Sequence, residues 1–174
     1  PLSSKSVALF YNRDLVKEPP SNTSELITLS QSLQKEGLFP LAYPADKFYF
    51  HAPWFFGFGA TLLDENGFVD FRSPGNVKSL QFVQNMQEAG FLPREPTTAL
   101  VGQLFREKKA AMVISGPWFL GELPSELNFG VTMLPVVTET GKRAKPFLTV
   151  EAIFLSAYSE KKDAARRVMA EIAG

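Results

Sequence analysis

The chain has 174 residues, of which 45% are hydrophobic and 21% charged, a composition typical of a folded globular protein. Its 18 basic and 18 acidic residues cancel, which argues against a nucleic-acid partner, since such binders usually carry a basic excess. The absence of cysteine excludes disulfides and thiolate metal sites, and a single histidine disfavours a zinc site or a histidine relay. We therefore expect no metal and no cofactor.

The first third of the chain alternates between strand and helix signals. Residues 6–12, SVALFYN, form a β-branched and aromatic run that predicts a buried strand. Asn22 followed by Glu25 fits the N-terminal capping box of a helix, leucines then recur at helical spacing, and Gly37 marks its end. A second strand is expected over residues 39–44.

An unusually aromatic segment, KFYFHAPWFFGFG, occupies residues 47–59. We expect a helix here, with Asp46 as its cap and Pro53 as a kink or break. The lone His51 fits either a packed, hydrogen-bonded imidazole or a ligand contact. Tyr49 is equally open, because a tyrosine in an aromatic cluster belongs either to the core or to a binding surface.

The middle of the chain predicts a turn followed by two helices. Asn66-Gly67 indicates a tight turn with a short hairpin. Ser73 and Pro74 open a helix that ends at Gly90, and a shorter helix is expected over residues 97–108. The apolar face of the first of these helices is predicted to comprise Val77, Leu80, Val83 and Met86.

Extended segments dominate the last third. Strands are predicted over residues 110–115 and 128–137, an extended run over 145–156, and a final amphipathic helix from Ser159. The apolar face of that helix comprises Ala165, Val168, Met169 and Ile172. Strands separated by helices predict an α/β fold with a mixed or mostly parallel sheet.

Two aromatic residues follow predicted strands directly. Trp118 comes after the strand 110–115 and a Gly-Pro turn, and Tyr49 lies just past the strand at 39–43. Ligands of α/β sheets usually bind beyond the carboxyl ends of the strands. Because a pyranose has an apolar C–H face that an aromatic ring can cover, sugar binding gives both positions a physical purpose.

Enzyme signatures are missing from the sequence: no nucleophile elbow, phosphate-binding loop or dinucleotide fingerprint is present. Glu122 and Glu126 are neighbours in sequence, as a glycosidase pair could be, but solvated surface is the simpler interpretation.

Four stretches, in chain order, carry a family resemblance: ALFYNRDLVKEPPSNTSEL, FREKKAAMVISGPW, NFGVTMLPVV and KPFLTVEAIFLSA. The ordered set resembles bacterial extracytoplasmic solute-binding proteins of the maltose/maltodextrin-binding type. The resemblance covers essentially all of the chain and matches only the middle of such a protein. Together with the start at Pro1, it leads us to expect a processed product or an excised piece.

The resemblance implies a periplasmic-binding-protein-like, three-layer αβα lobe with a mixed sheet, as one part of a two-lobe fold. Residues 1–6 would form a hinge crossing, residues 7–148 the C-terminal lobe, and residues 149–174 a crossing strand and helix of the other lobe. Most of the N-terminal lobe would be missing, and a domain-swapped dimer is one way to replace it.

The resemblance also implies a set of substrate-binding residues. Trp118 matches the sugar-stacking tryptophan after Gly-Pro, Tyr49 matches a sugar-contacting tyrosine, and Phe50 matches the phenylalanine that follows it. Lys47 stands where the maltose-type pattern has a glutamate that binds sugar hydroxyls, and Asp46 is a candidate to supply that carboxylate instead. These departures make a carbohydrate ligand the expectation and leave maltose itself open.

The implied function is binding of a maltose- or maltodextrin-like oligosaccharide for an ABC sugar importer, without catalysis. Its partners would be the oligosaccharide and the permease subunits, and its location periplasmic or otherwise extracytoplasmic. The alternatives are a sensor or a permease-fused ligand-binding domain, a glycan-active enzyme that uses Glu122 and Glu126, and a structural interaction domain.

Overall fold

The computed structural model describes residues 2–173. Two compact units are distinguished, one comprising Val7–Phe147 and the other residues 2–6 together with 148–173. The strands, in chain order, are β1 (Ser3–Lys5), β2 (Ala8–Asn12), β3 (Phe39–Ala42), β4 (Ala110–Ser115), β5 (Phe129–Thr132), β6 (Val136–Val137), β7 (Lys142–Arg143) and β8 (Thr149–Glu151). The helices are α1 (Thr23–Lys35), α2 (Phe48–Gly57), α3 (Pro74–Glu88), α4 (Thr98–Arg106) and α5 (Lys162–Ala173), with a 3-10 helix at Pro117–Glu122.

A four-stranded mixed sheet, in the order β3-β4-β2-β5, forms the centre of the larger unit. β3 pairs with β4 in parallel, whereas β2 pairs antiparallel with both β4 and β5. β4 lies in the interior of the sheet, and all six of its residues are buried. The expected α/β class with a mixed sheet is confirmed.

Alternation of side chains along the strands divides the core between two faces of the sheet. Leu9 and Leu41 belong to one core cluster, which helices α1, α2 and α3 complete. Their chain neighbours Phe10 and Ala42 belong to a second cluster, which α4 and the 3-10 helix complete. Successive residues of a strand point to opposite faces, so one sheet with helices on both sides gives three layers, as expected.

Helix α1 begins and ends as its sequence predicts. The side-chain oxygen of Asn22 accepts from the backbone N–H of Glu25 at 2.9 Å, and the Glu25 carboxylate accepts from the N–H of Ser21 at 2.8 Å. Gly37 has a φ of 79°, and the N–H of Leu38 bonds back to the Leu33 carbonyl. Orphan donors and acceptors at both ends are therefore satisfied within the chain.

Helix α2 differs from the prediction at its start. Lys47, not Asp46, occupies the N-cap position, and no side chain caps the helix. Pro53 lies inside the helix and does not end it, although a proline has no N–H to donate to the helical ladder. Most of α2 is buried, so tertiary packing compensates for a missing side-chain cap and a proline.

Four further expectations need correction. In α3, Val77 and Leu80 are exposed, and the buried face instead combines Val83 and Met86 with two polar residues, Asn76 and Ser79. The predicted strand 128–137 is two strands, β5 and β6, and only Thr149–Glu151 of the run 145–156 is strand. The final helix begins at Lys162 rather than at Ser159. Hydrophobic periodicity identified these segments but not their lengths or their buried faces.

The smaller unit consists of the β1–β8 pair and α5. β1 pairs antiparallel with β8, and Glu151 accepts from the Ser3 hydroxyl at 2.8 Å and forms an ion pair with Lys5. These contacts, led by the hydrogen bond from Lys5, lower the pKa of Glu151 below its usual value. None of the residues described in α5 is buried, and Val168 and Ile172 of its predicted apolar face are more than half exposed.

Helices of the length and apolar character needed to cross a lipid bilayer are not found among residues 2–173.

We predict that Asn22→Ala lowers the free energy of unfolding by about 1–2 kcal/mol, because the Glu25 N–H loses its acceptor. Urea denaturation of the purified chain measures the difference. The matched control is Gln31→Ala, which removes an exposed side chain from the same helix and should change stability little. Equal midpoints for the two variants would contradict the capping role.

Candidate functional site

The position of Trp118 is set by the end of β4, which precedes it, and by Phe119, which follows it. Gly116 leaves the strand, and Pro117 opens the 3-10 helix with its fixed φ. Phe119 is 3% exposed and packs edge-on against Phe10, with ring centroids 5.3 Å apart. Phe119 is anchored in the core, and the preceding tryptophan lies at the edge of the core, where it packs against both clusters and remains partly exposed.

Gly116 is required sterically by the indole ring. A Cβ built at this position would lie 2.2 Å from Cη2 and Cζ3 of Trp118, closer than any real contact allows. The φ of Gly116 is −110°, which any residue can adopt, so the need for glycine comes from the close approach of the ring. The Gly-Pro turn therefore lets Trp118 lie directly against the backbone at the end of the strand.

Helix α2 brings two more of the predicted residues to the same place. The ring centroid of Tyr49 lies 6.3 Å from that of Trp118, and that of Phe50 lies 6.4 Å from it, edge-on at 86°. Tyr49 and Phe50 are themselves 5.5 Å apart. The structure thus places three aromatic side chains in mutual contact, from positions far apart in sequence.

A fourth aromatic residue, Phe147, was not predicted. Its ring lies 6.4 Å from Tyr49 at an interplanar angle of 23°, and 5.5 Å from Phe56. It follows the β6–β7 hairpin, nearly a hundred residues after α2, and nothing in the local pattern KPFLTV signals its position. We call Tyr49, Phe50, Trp118 and Phe147 the aromatic platform.

The members of the platform differ in exposure. Tyr49, Trp118 and Phe147 are partly buried, whereas Phe50 is 8% exposed and belongs to the core cluster beneath them. A set of partly exposed rings on a buried support offers a rigid apolar surface. Such a surface suits a ligand with an apolar face, and its aromatic side chains have few torsions to immobilise on binding.

The other two predicted residues, Asp46 and Lys47, lie immediately before α2. Both are exposed, and both line a cavity of about 820 Å³ bounded by α3 and by the segment that leads into α4. The residues lining this cavity include Leu80, Val83, Gln84, Gln87, Arg94 and Thr97. Platform residues are not part of this lining, so the structure divides the predicted set between a platform and a cavity.

His51 also lines this cavity and is 5% exposed. Its Nε2 lies 3.0 Å from the Ser79 hydroxyl on α3. Burial lowers the pKa of His51 from 6.5 to about 4, since the charged imidazolium is disfavoured away from water. The side chain is therefore a neutral, hydrogen-bonded imidazole at neutral pH.

The two acidic residues that the sequence singled out, Glu122 and Glu126, both lie on the exposed surface. Glu122 lies 3.6 Å from Arg106 in an exposed ion pair, and Glu126 is exposed beside Ser125. Within the described part of the chain, no three acidic or imidazole side chains cluster closely enough to hold a metal ion.

Comparison with known proteins gives a consistent set of relatives. Residues 1–174 match the family described as bacterial extracellular solute-binding protein. The galactooligosaccharide-binding protein of Bacillus subtilis (strain 168) is 27% identical over 97% of this chain and 43% of its own length. The maltotriose-binding protein of Pyrococcus abyssi is 27% identical over 95% of this chain and 37% of its own.

A third relative, the maltodextrin-binding protein MdxE of Bacillus subtilis (strain 168), is 24% identical over 96% of this chain and 43% of its own length. The chain thus spans about two fifths of the length of the curated relatives that it matches.

We predict that Gly116→Ala displaces the indole of Trp118, because the new methyl group would overlap the ring. Near-ultraviolet circular dichroism should show a changed tryptophan signal, with a loss of stability of about 1–3 kcal/mol. Gly121→Ala, in the same 3-10 helix, is the control, since nothing lies within 4 Å of its Cβ position. A native-like spectrum for Gly116→Ala would show that the ring is not held there.

We predict a loss of stability on mild acidification that originates in His51. Its pKa is about 4 in the folded state and 6.5 in the unfolded state, so only the unfolded chain takes up a proton between these values. The contribution of neutral His51 to the free energy of unfolding is therefore complete above the unfolded-state pKa, and it falls by roughly 2 kcal/mol between about pH 7 and pH 5. Denaturation across this range should show a smaller fall for His51→Gln; equal falls would contradict the assignment.

Proposed function

We propose, since the chain belongs to the family of bacterial extracellular solute-binding proteins, that it forms most of one lobe of an oligosaccharide-binding protein that serves an ABC importer. The aromatic platform is the observation that carries the proposal. The contact of Tyr49 and Trp118, at ring centroids 6.3 Å apart, supports a role in covering the C–H face of a sugar ring. Phe50 and Gly116 would hold Trp118 in position.

The ligand class is an oligosaccharide of the maltodextrin type. The named ligands of the relatives, galactooligosaccharide, maltotriose and maltodextrin, are all short sugar chains. Asp46 and Lys47, at the cavity beside the start of α2, would bind sugar hydroxyls. A lysine binds hydroxyls only as a donor, whereas a glutamate binds them only as an acceptor, so Lys47 would shift the preference among sugars.

Two lobes would each contribute contacts to the bound ligand. In the proposed assignment, residues 7–148 belong to the C-terminal lobe, residues 1–6 to a hinge crossing, and residues 149–174 to the N-terminal lobe. The division into compact units, which falls after Ser6 and after Phe147, lies within one residue of these boundaries and supports the assignment. The exposed apolar face of α5 is consistent with a helix whose packing partners lie in the missing N-terminal lobe. A domain-swapped dimer would cover the same face.

Binding would close the two lobes around the sugar, because the second set of contacts exists only in the closed state. The closed form would then dock on the permease subunits, on the outer side of the cytoplasmic membrane. The protein would not be an enzyme: its site offers stacking surface and hydroxyl-binding groups, and its exposed Glu122 is engaged with Arg106.

In the complete two-lobe protein, we predict that Trp118→Ala weakens maltotriose binding by roughly 1–3 kcal/mol, comparable to losses of base–aromatic stacking. Isothermal titration calorimetry measures the change. Phe68→Ala is the matched control, since Phe68 is an aromatic residue that is 71% exposed and outside the platform. Unchanged affinity for Trp118→Ala would remove this residue from the site, and a protein that binds no oligosaccharide would refute the function.

A further inference from the structure

The cavity beside α2 combines an apolar lining with a small number of polar groups. Its volume of about 820 Å³ lies in the range of small-molecule sites. Leu80 and Val83 of α3 supply apolar surface, and Leu80 is more than half exposed although it belongs to a helix packed on the core. A ligand in this cavity would give that exposed apolar side chain a partner.

Hydrogen bonds around Ser79 determine which nitrogen of His51 carries the proton. The Ser79 hydroxyl donates its one hydrogen to the Asn76 carbonyl at 2.8 Å. Its oxygen can therefore only accept from His51 Nε2, 3.0 Å away, and Nε2 must carry a hydrogen. The longer contact with Asn76 Oδ1, at 3.4 Å, is also to an acceptor and leads to the same assignment.

The other ring nitrogen is left as an acceptor. A neutral imidazole protonated on Nε2 has a lone pair on Nδ1, and Nδ1 has no hydrogen-bond partner among residues 2–173. Burial keeps the pKa of the ring at about 4, so this lone pair persists at neutral pH. Because Ser79 is itself buried, with 0% exposure, the tautomer is fixed by a rigid partner.

The charges around the cavity are balanced. The lining includes two acidic residues, Asp46 and Glu95, and two basic residues, Lys47 and Arg94. Equal numbers of each sign favour a neutral ligand over an anion or a cation. A neutral molecule with hydroxyl groups and an apolar C–H surface matches the balanced charge of the lining, the hydrogen-bond acceptor on His51 and the apolar side chains.

We propose that His51, held by Ser79, is a specificity-determining residue that accepts a hydrogen bond from a hydroxyl group of the bound oligosaccharide in this cavity. This inference rests on the proposed function, since the ligand is the oligosaccharide proposed there. His51 then selects for a hydroxyl donor at its position, and a sugar that lacks this hydroxyl would leave the Nδ1 acceptor without a donor from the ligand.

The first test is nuclear magnetic resonance of the complete two-lobe protein with nitrogen-15-labelled histidine, with maltotriose and β-1,4-galactotriose as probes. The His51→Gln variant assigns the resonances of His51. In the free protein, Nδ1 should show the shift of an unprotonated nitrogen and Nε2 that of a protonated one. On saturation with a probe that binds, the Nδ1 resonance should move upfield, as it does when a lone pair accepts a hydrogen bond.

The second test is calorimetry on variants. His51→Phe keeps a ring of similar size without an acceptor and should weaken binding about three- to tenfold. Gln87→Ala, on the cavity wall contributed by α3, is a control for general disturbance of the lining and should weaken binding less. If His51→Phe fails to fold, the resonance measurement on the unaltered protein decides alone.

The outcomes separate the two proposals. A protein that binds neither probe, nor any longer maltodextrin, overturns both the function and the role of His51. One contrary outcome is binding that is weakened by Trp118→Ala but not by His51→Phe. Another is an Nδ1 resonance that does not move at saturation. Either outcome overturns the role of His51 and leaves the proposed function standing.

Discussion

The contact between the indole of Trp118 and the backbone of Gly116 is the constraint on which the proposed site depends. β4 is buried along its whole length, so its end is a fixed point in the molecule. Only a glycine lets the ring lie against the chain there. The residue after Trp118, Phe119, is anchored in the core by its contact with Phe10. The position of Trp118 in the platform is thus set by β4, which lies in the interior of the sheet.

Helix α2 serves both the core and the proposed site, and this explains its unusual composition. Phe50 and Trp54 complete the core cluster on one face of the sheet, while Tyr49 remains partly exposed. His51 reaches the cavity on the α3 side of the same helix. A helix with so many aromatic residues packs on most of its circumference, which makes its first turn a rigid base for the side chains around it.

Much of the fold could be predicted from the sequence because local signals agreed with the final packing. The cap at Asn22, the glycine after α1 and the apolar run of β4 each specify one structure without help from distant residues. The first half of the α3 face was predicted wrongly because periodicity counts apolar residues, whereas Asn76 and Ser79 are buried through hydrogen bonds. Tyr49 and Trp118 of the platform could be predicted because they follow strands, and Phe50 because of the family resemblance. Phe147 could not, because its contact with Tyr49 depends on the path of a distant hairpin.

The chain contains only two tryptophans, and they lie in opposite environments. Trp54 is 1% exposed and packs against Phe82, whereas Trp118 is partly exposed on the platform. Collisional quenchers such as iodide reach a partly exposed indole and not a buried one. The intrinsic fluorescence of this chain therefore combines a contribution from the buried Trp54 with one from the accessible Trp118, and binding at the proposed site would change the second without any added label.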